Sequence, residues 1–419
     1  MTPNPRILQT VEKLGYRVTV GDVAAQAGLQ IDLAQRGLLA LASDAGGHLQ
    51  VAESGEIVYL FPRNFRSILR NKFWRLRLKE WWEKIWAVLF YLIRISFGII
   101  LVISILVMAI TIAIIIISVN SSRDGDASGD RSSGGGGRFF FFPTDIFWIF
   151  NPTYDYNRYE QRLPNAAERD GRQMNFLEAV FSFLFGDGNP NFNLEEKRWQ
   201  EIGSLIQNNS GAVVAEQIAP YLDNIEEYNR ETEDYILPVL ARFNGYPEVS
   251  PQGNIIYYFP ELQVTAKRRK MQQVSVYLQE HLWRFSQADS GQILLAIGLG
   301  VLNFILALVL GSLLREYEIT GGLVDFIRSI YFLLLGYAIT FLGTPLVRYF
   351  WIKWKNKKIA SRNQQRQVRK QWLEKTDANF QEKLNYARQF AAETVIAEQD
   401  IIYSTEHSLE SETNRLEGD

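Results

Sequence analysis

Residues 95–118 read ISFGIILVISILVMAITIAIIIIS, 24 residues without one charged side chain. A helix of about 20 apolar residues crosses the hydrocarbon of a bilayer. A soluble core helix of that length would keep a polar face, and this one has none. A membrane span is therefore expected, and with it a chain divided between lipid and water. The run starts too late and is too long for a secretory signal. Residues 63–86 before it carry eight Lys/Arg against two Glu, and Trp81, Trp82 and Trp86 stand where an interfacial aromatic belt belongs. Arg94 lies at the membrane edge, where its long side chain can reach lipid phosphates. The positive-inside rule then places the N-terminal region in the cytoplasm.

A second span is expected at 292–314 and a third at 330–349. The basic run KRRK (267–270) precedes the second, and 348–370, with nine Lys/Arg and no acid, follows the third. This pair reads as a hairpin that leaves the cytoplasm and returns to it. One crossing at 95–118 then conflicts with a cytoplasmic 267–270. The segment RFFFFPTDIFWIF (138–150) is the candidate for a return. Its dozen apolar residues rise only about 18 Å as a helix, against a core of about 30 Å, so it suits a re-entrant or interfacial segment. The alternative puts the middle domain on the far side; an internal repeat favours the cytoplasmic placement.

The repeat pairs GHLQVAESGEIVYLFP (47–62) with GYPEVSPQGNIIYYFP (245–260), seven identities in sixteen positions. Gly47/Gly245, Val51/Val249, Gly55/Gly253, Ile57/Ile255, Tyr59/Tyr257, Phe61/Phe259 and Pro62/Pro260 coincide. Each copy reads as strand, glycine turn, alternating strand and proline stop, with Ile57, Tyr59 and Phe61 on one face. A helical stretch precedes each hairpin. In the first, Thr19 is expected to cap with Asp22, Ala24 to lie where helices cross, and Gly28 to make the turn. Helix–turn–helix followed by a hairpin is a winged-helix pattern, and two such domains in one chain suggest a pseudo-dimer. Nucleic acid is disfavoured as a partner. Residues 18–62 carry one Arg and five acids, and 212–260 two Arg and eight acids, where a DNA reader needs cations. A protein-interaction module tolerates that charge.

Chemistry-bearing patterns are sparse. The absence of cysteine excludes disulfides, thiol nucleophiles and cysteine-held metals or clusters. His48, His281 and His407 form no ligand spacing. Asp187, Asn189 and Asn191 mimic the start of an EF-hand loop, but Phe192 and Arg198 occupy its glycine and bidentate-acid positions, so a helix-ending turn is expected. Spans 95–118 and 292–314 contain no acid, which leaves a proton or ion pathway little to run on. The glycines of 298–311 read as helix-packing positions. Leu177, Val180, Phe181 and Leu184 share one helical face, which suits a core helix of the middle domain or an amphipathic helix on the membrane surface. No catalytic, metal or cofactor residue is assigned. Tyr258 is expected to be exposed and is the one candidate partner contact, because tyrosine is enriched at binding hot spots.

The strings VFSFLFGDGNPN (180–191), GNIIYYFPELQVTA (253–266) and EIVYLFP (56–62) resemble a family of cyanobacterial and chloroplast membrane proteins. Its plant members carry the label iron–sulfur cluster biosynthesis family protein. The resemblance covers most of the chain. It implies a photosynthetic membrane and an assembly or biogenesis role, with photosystem I as the complex served.

The expected fold is α+β: two winged-helix-like domains, transmembrane helices and a helical C-terminal tail. The boundaries are 1–65 for the first domain, 66–118 for the basic flank and first span, 119–138 for a Ser/Gly/Asp linker, and 139–173 for the aromatic segment and its loop. The middle domain takes 174–266 and a basic flank 267–291; spans at 292–314 and 330–349 follow, then a tail over 350–419, basic and then acidic. The expected function is a non-enzymatic scaffold in a thylakoid or plasma membrane, with cytoplasmic soluble domains. Its partners are the lipid bilayer and subunits of a membrane complex. The alternatives are a membrane-tethered DNA-binding regulator and a membrane enzyme or transporter.

Overall fold

The computed structural model describes residues 4–72, 74–123, 174–223, 225, 232–268, 271–319, 321–374 and 378–406. The aromatic segment 139–150, the linker before it and His407 lie outside the described residues. The chain divides into two compact units. The first comprises Met1–Trp82, Pro190–Leu282 and Lys357–Asp419; the second comprises Glu83–Asn189 and Trp283–Asn356.

In the first unit the N-terminal lobe runs α1 (Pro5–Lys13), β1 (Arg17–Val18), α2 (Val20–Ala27), α3 (Ile31–Ala45), β2 (His48–Ala52), β3 (Ile57–Leu60) and α4 (Phe65–Lys72). Thr19 caps α2 in a reciprocal box with Asp22, as its sequence signature predicts. Gly28, at φ 64°, supplies the left-handed residue that ends the helix. The middle lobe runs α7 (Leu194–Asn208), β4 (Ala212–Val213), α8 (Ala215–Ile218), α9 (Leu237–Phe243), β5 (Tyr246–Val249), β6 (Ile255–Tyr258) and α10 (Pro260–Gln263).

The strand orders correspond: β1-β3-β2 in one lobe, β4-β6-β5 in the other. So do the antiparallel registers. His48 faces Leu60 and Val51 faces Ile57, while Tyr246 faces Tyr258 and Val249 faces Ile255. Both turns use a glycine at positive φ, Gly55 at 84° and Gly253 at 83°. The alternation expected of β3 and β6 is present. Tyr59, Phe61, Tyr257 and Phe259 are buried, with Ile57 and Ile255 packed at the margin of the same core.

One apolar core serves both lobes, running from Ile7 through Leu69 to Trp199, Tyr257 and Leu278. The lobes meet where α2 crosses α7. A Cβ on Gly203 would stand 2.8 Å from the Ala25 Cα, so only glycine allows the approach. Beside it Arg242 donates to the Gly28 carbonyl at 2.7 Å and stacks 4.0 Å above the Trp199 ring.

The C-terminal region departs from the expected helical tail. After α13 (Ala378–Ala387) it forms β8 (Thr394–Val395) and β9 (Ile401–Ser404). β9 adds to the edge of β2, Gln50 facing Ser404, and β8 pairs in parallel with β7 (Val264–Thr265). The apolar run Ile401-Ile402-Tyr403 suits a strand, and the open edge of β2 presents N–H and C=O groups that need partners.

The second unit holds the apolar parts of α5 (Trp74–Arg123) and α12 (Gly322–Glu374), with α11 (Ser290–Glu316) and α6 (Phe176–Phe185). Three of these helices are long and apolar enough to cross a membrane: Trp81–Ser121, Ser290–Glu316 and Gly322–Gln371. α6 belongs with them rather than with the middle domain, whose start falls at Pro190 instead of 174. The reason is its apolar surface: Phe176, Val180, Phe183 and Leu184 share a core with Leu101, Ala296 and Phe341. Among the glycines expected to pack helices, Gly300 meets the Phe341 ring and Gly311 the Tyr331 hydroxyl, while Gly298 faces open space. Asn303, fully buried, accepts from the Ser104 hydroxyl at 2.8 Å, a polar link of the kind that joins helices in lipid.

The EF-hand-like residues are structural. Asp187 accepts from Ser182 at 2.6 Å, from the Gln287 N–H at 2.9 Å and from Arg94 at 3.0 Å. Arg94, expected to reach lipid phosphate, thus pairs with a carboxylate of its own unit. In the first unit the Asn191 amide bonds both the N–H and the C=O of His281, each at 2.7 Å.

Candidate functional site: the middle sheet and its arm

Tyr258 ends β6, where the alternation of the strand turns it away from the core face of Tyr257. It is half-buried, because its ring lies between Tyr246 at 5.7 Å and Phe390 at 5.6 Å, both nearly parallel. The face expected to be open thus carries this chain's own arm. Hydrogen bonds to the arm continue the lacing: the Gln263 side chain donates to the Phe390 carbonyl at 2.7 Å, and the Ala392 N–H to the Ser210 carbonyl at 3.0 Å.

Behind Tyr258 the arm inserts a charge. Lys383 of α13 is buried and pairs with Glu216 at 2.9 Å and with Glu233. Glu233 accepts the Tyr257 hydroxyl at 2.8 Å and adopts a left-handed backbone, φ 53°. Burial first, and then the Glu233 carboxylate, push the Tyr257 phenol far above its usual value, so it stays a hydrogen-bond donor. An ammonium is thus held between two carboxylates, one of which is fixed by a tyrosine.

A second buried network lies where α12 reaches the middle lobe. The Arg366 side chain is 1% exposed; it pairs with Asp223 at 2.7 Å and Glu280 at 2.9 Å, and donates to the Leu278 carbonyl at 2.9 Å. Arg362 binds Glu280 with both arms of its guanidinium, at 2.7 and 2.6 Å, and Arg198 pairs with Asp223. Burial alone would raise the Glu280 carboxyl; the Arg362 hydrogen bonds and the Arg366 charge outweigh it and hold the group below its ordinary value. The basic run 348–370 therefore spends Arg366 and Arg369 inside the protein. None of Lys383, Glu233, Arg366, Asp223 or Glu280 stood out in the sequence. The available signal at Lys383 was its apolar neighbours one turn away, Phe380 and Ala387, whereas Arg366 has only Arg362, Asn363, Arg369 and Lys370 at that spacing and carried none.

Lys383 and Phe390 fasten the arm to the middle sheet, and Arg366 fastens α12 to the middle lobe. The fold and these contacts define an α+β protein of two compact units with, among the described residues, three candidate membrane-spanning helices. Over 418 residues the chain is 40% identical to the uncharacterized chloroplastic protein At5g03900 of Arabidopsis thaliana, an alignment covering 96% of this chain and 79% of the relative. It belongs to the family of that chloroplastic protein. No family model matches the chain, and no solved structure matches it.

Proposed function

We propose that the protein is a non-enzymatic scaffold of a thylakoid-type membrane, with two winged-helix-like repeats that help assemble a membrane complex, photosystem I being the first to examine. The matched registers support the repeat reading, and the identities within it have physical reasons. A Cβ on Gly47 would stand 2.9 Å from the Phe61 ring, and one on Gly245 would collide with the Phe259 ring. Each glycine is the floor on which its aromatic rests. In this reading the two repeats form an intramolecular pseudo-dimer through their shared core. The chloroplastic relative supports the organelle.

The observation that carries the interaction role is the outer face of α3, the helix that would enter a DNA groove in a winged-helix reader. Asp32, Leu33, Gln35, Arg36, Leu39 and Ala40 are exposed there, with Leu33 at 51% and Leu39 at 47%. One cation against one anion gives phosphate nothing to bind, whereas two bare leucines suit a protein surface. The test is purification of the full-length protein from native membranes in mild detergent. Subunits of a membrane complex are expected to co-purify with it, and Leu33→Glu with Leu39→Glu to lose them while the melting temperature stays within about 2 °C, as for surface changes. Unaltered recovery of the complex by the double variant excludes the α3 face. A salt-dependent shift of DNA by the protein, with no subunits recovered, would establish the DNA-binding regulator in its place.

A further inference from the structure

The N-terminal lobe has a cleft of about 180 Å³ at the start of α2, bordered by Thr19, Gly21, Gln35, Glu56, Tyr59 and Glu261. No basic side chain lines it. Among the described residues neither Glu56 nor Glu261 has a side-chain partner, and the Tyr59 hydroxyl, on a residue 1% exposed, is buried without a hydrogen bond. Burial first, and the neighbouring Glu56 second, raise the Glu261 carboxyl, so two like charges face each other unrelieved. The Thr19 hydroxyl is already committed to the Val264 carbonyl at 3.2 Å. A Cβ at Gly21 would run into the Glu261 backbone, so the wall is built for close approach.

The middle lobe shows what fills such a place. Val18 faces Tyr59 across its sheet as Val213 faces Tyr257. Counting on from those valines, Gly21 stands where Glu216 stands, and Tyr59 where Tyr257 stands. In the middle lobe that corner is taken by the Lys383 ammonium between Glu216 and Glu233, with the Tyr257 hydroxyl on the second carboxylate. In the N-terminal lobe the tyrosine is present and two carboxylates from other positions, Glu56 and Glu261, border the cleft, while no lysine of the described chain lines it.

We propose that this cleft binds a primary alkylammonium group, using the Glu56 and Glu261 carboxylates for the charge and the Tyr59 hydroxyl as a further polar contact. An anion is excluded by the two acids, although the α2 N-terminus lies alongside. The ammonium can come from a free amine or from a lysine side chain of another protein. The comparison of lobes leans on the repeat reading, but the cleft is tested without it, and independently of any co-purifying complex.

The experiment is titration of the full-length protein in detergent, followed by the melting temperature and by calorimetry, with three probes: n-butylammonium chloride, a capped Gly-Lys-Gly peptide, and the same peptide acetylated on the lysine ε-amine. The first two are expected to bind and the acetylated peptide is not. Equal affinities for the first two identify a free amine as sufficient; a tighter peptide identifies a protein lysine. Glu56→Gln and Glu261→Gln should each weaken binding by roughly tenfold, the scale of one charge-assisted contact. Tyr59→Phe keeps the ring and should weaken it by about threefold, the scale of one neutral hydrogen bond. Absence of binding by both amines, or equal binding to the wild type and the double glutamine variant, overturns the proposal.

Discussion

Arg366→Ala is expected to lower the unfolding free energy of the first unit by about 3–5 kcal/mol, read by urea unfolding of the full-length protein in detergent. The guanidinium is 1% exposed and answers two carboxylates, Asp223 at 27% and Glu280 at 5%. Its removal leaves Glu280 buried with the Arg362 contacts alone, and a buried charge stripped of a partner costs more than the pair contributed. Arg366→Met with Glu280→Gln removes both charges and should recover part of the loss. Glu280 also sets an acid limit. Because its folded value lies below the ordinary 4.5, its stabilisation is complete above pH 4.5 and is lost as pH falls through the lowered folded value. The Arg366→Ala protein should therefore lose stability less steeply over that acid range than the wild type. An Arg366→Ala protein as stable as the wild type would show the network to be ornamental.

The second large effect is expected at the aromatic ends of the hairpins. Phe259→Ala and Phe61→Ala should each cost about 3–5 kcal/mol, since Phe259 is fully buried and Phe61 is 3% exposed in the same core. The glycine floors give a sharper test. Gly245→Ala alone forces a methyl into the Phe259 ring and should destabilise. In the Phe259→Ala background the same methyl loses its closest obstacle and meets only the Leu240 side chain at 2.7 Å, so the two changes should be less than additive. Additive losses would mean that ring and glycine do not share the contact.

Several of these features could be read before any coordinates. The spans carry their own signal in uninterrupted apolar length. The hairpins carry theirs in Gly55, Gly253 and the alternation through Tyr59 and Tyr257, and the α2 cap in Thr19 and Asp22. Each is local, set by residues within a turn or a strand. What escaped reading is long-range. The strand at 401–404 finds its partner, β2, more than 300 residues earlier, and nothing around Ile401 marks that edge. Arg366 looks like its basic neighbours, and only Asp223, 143 positions away, makes it an interior residue. Strand alternation alone leaves Tyr258 open, because no local rule brings Phe390 onto it. α6 joins the second unit for a related reason. Its apolar surface promised burial without saying in which unit.

The shared core raises a question of membrane sides that the candidate spans alone leave open. Residues on either side of the first span, 7–69 and 199–278, contribute to one core, so they must lie in one compartment. Strand β9 pairs with β2, which adds the C-terminal arm to that compartment. Single cysteines at Glu53, Arg268 and Lys357 report on these three stretches, and the native chain has no cysteine to confuse the signal. In cells permeable only at the outer membrane, a membrane-impermeant thiol reagent is expected to leave all three unlabelled and to label a cysteine at Ser133. Labelling of one or two of the three, with the rest protected, would contradict the single composite unit, and labelling of all three would contradict the proposed cytoplasmic side.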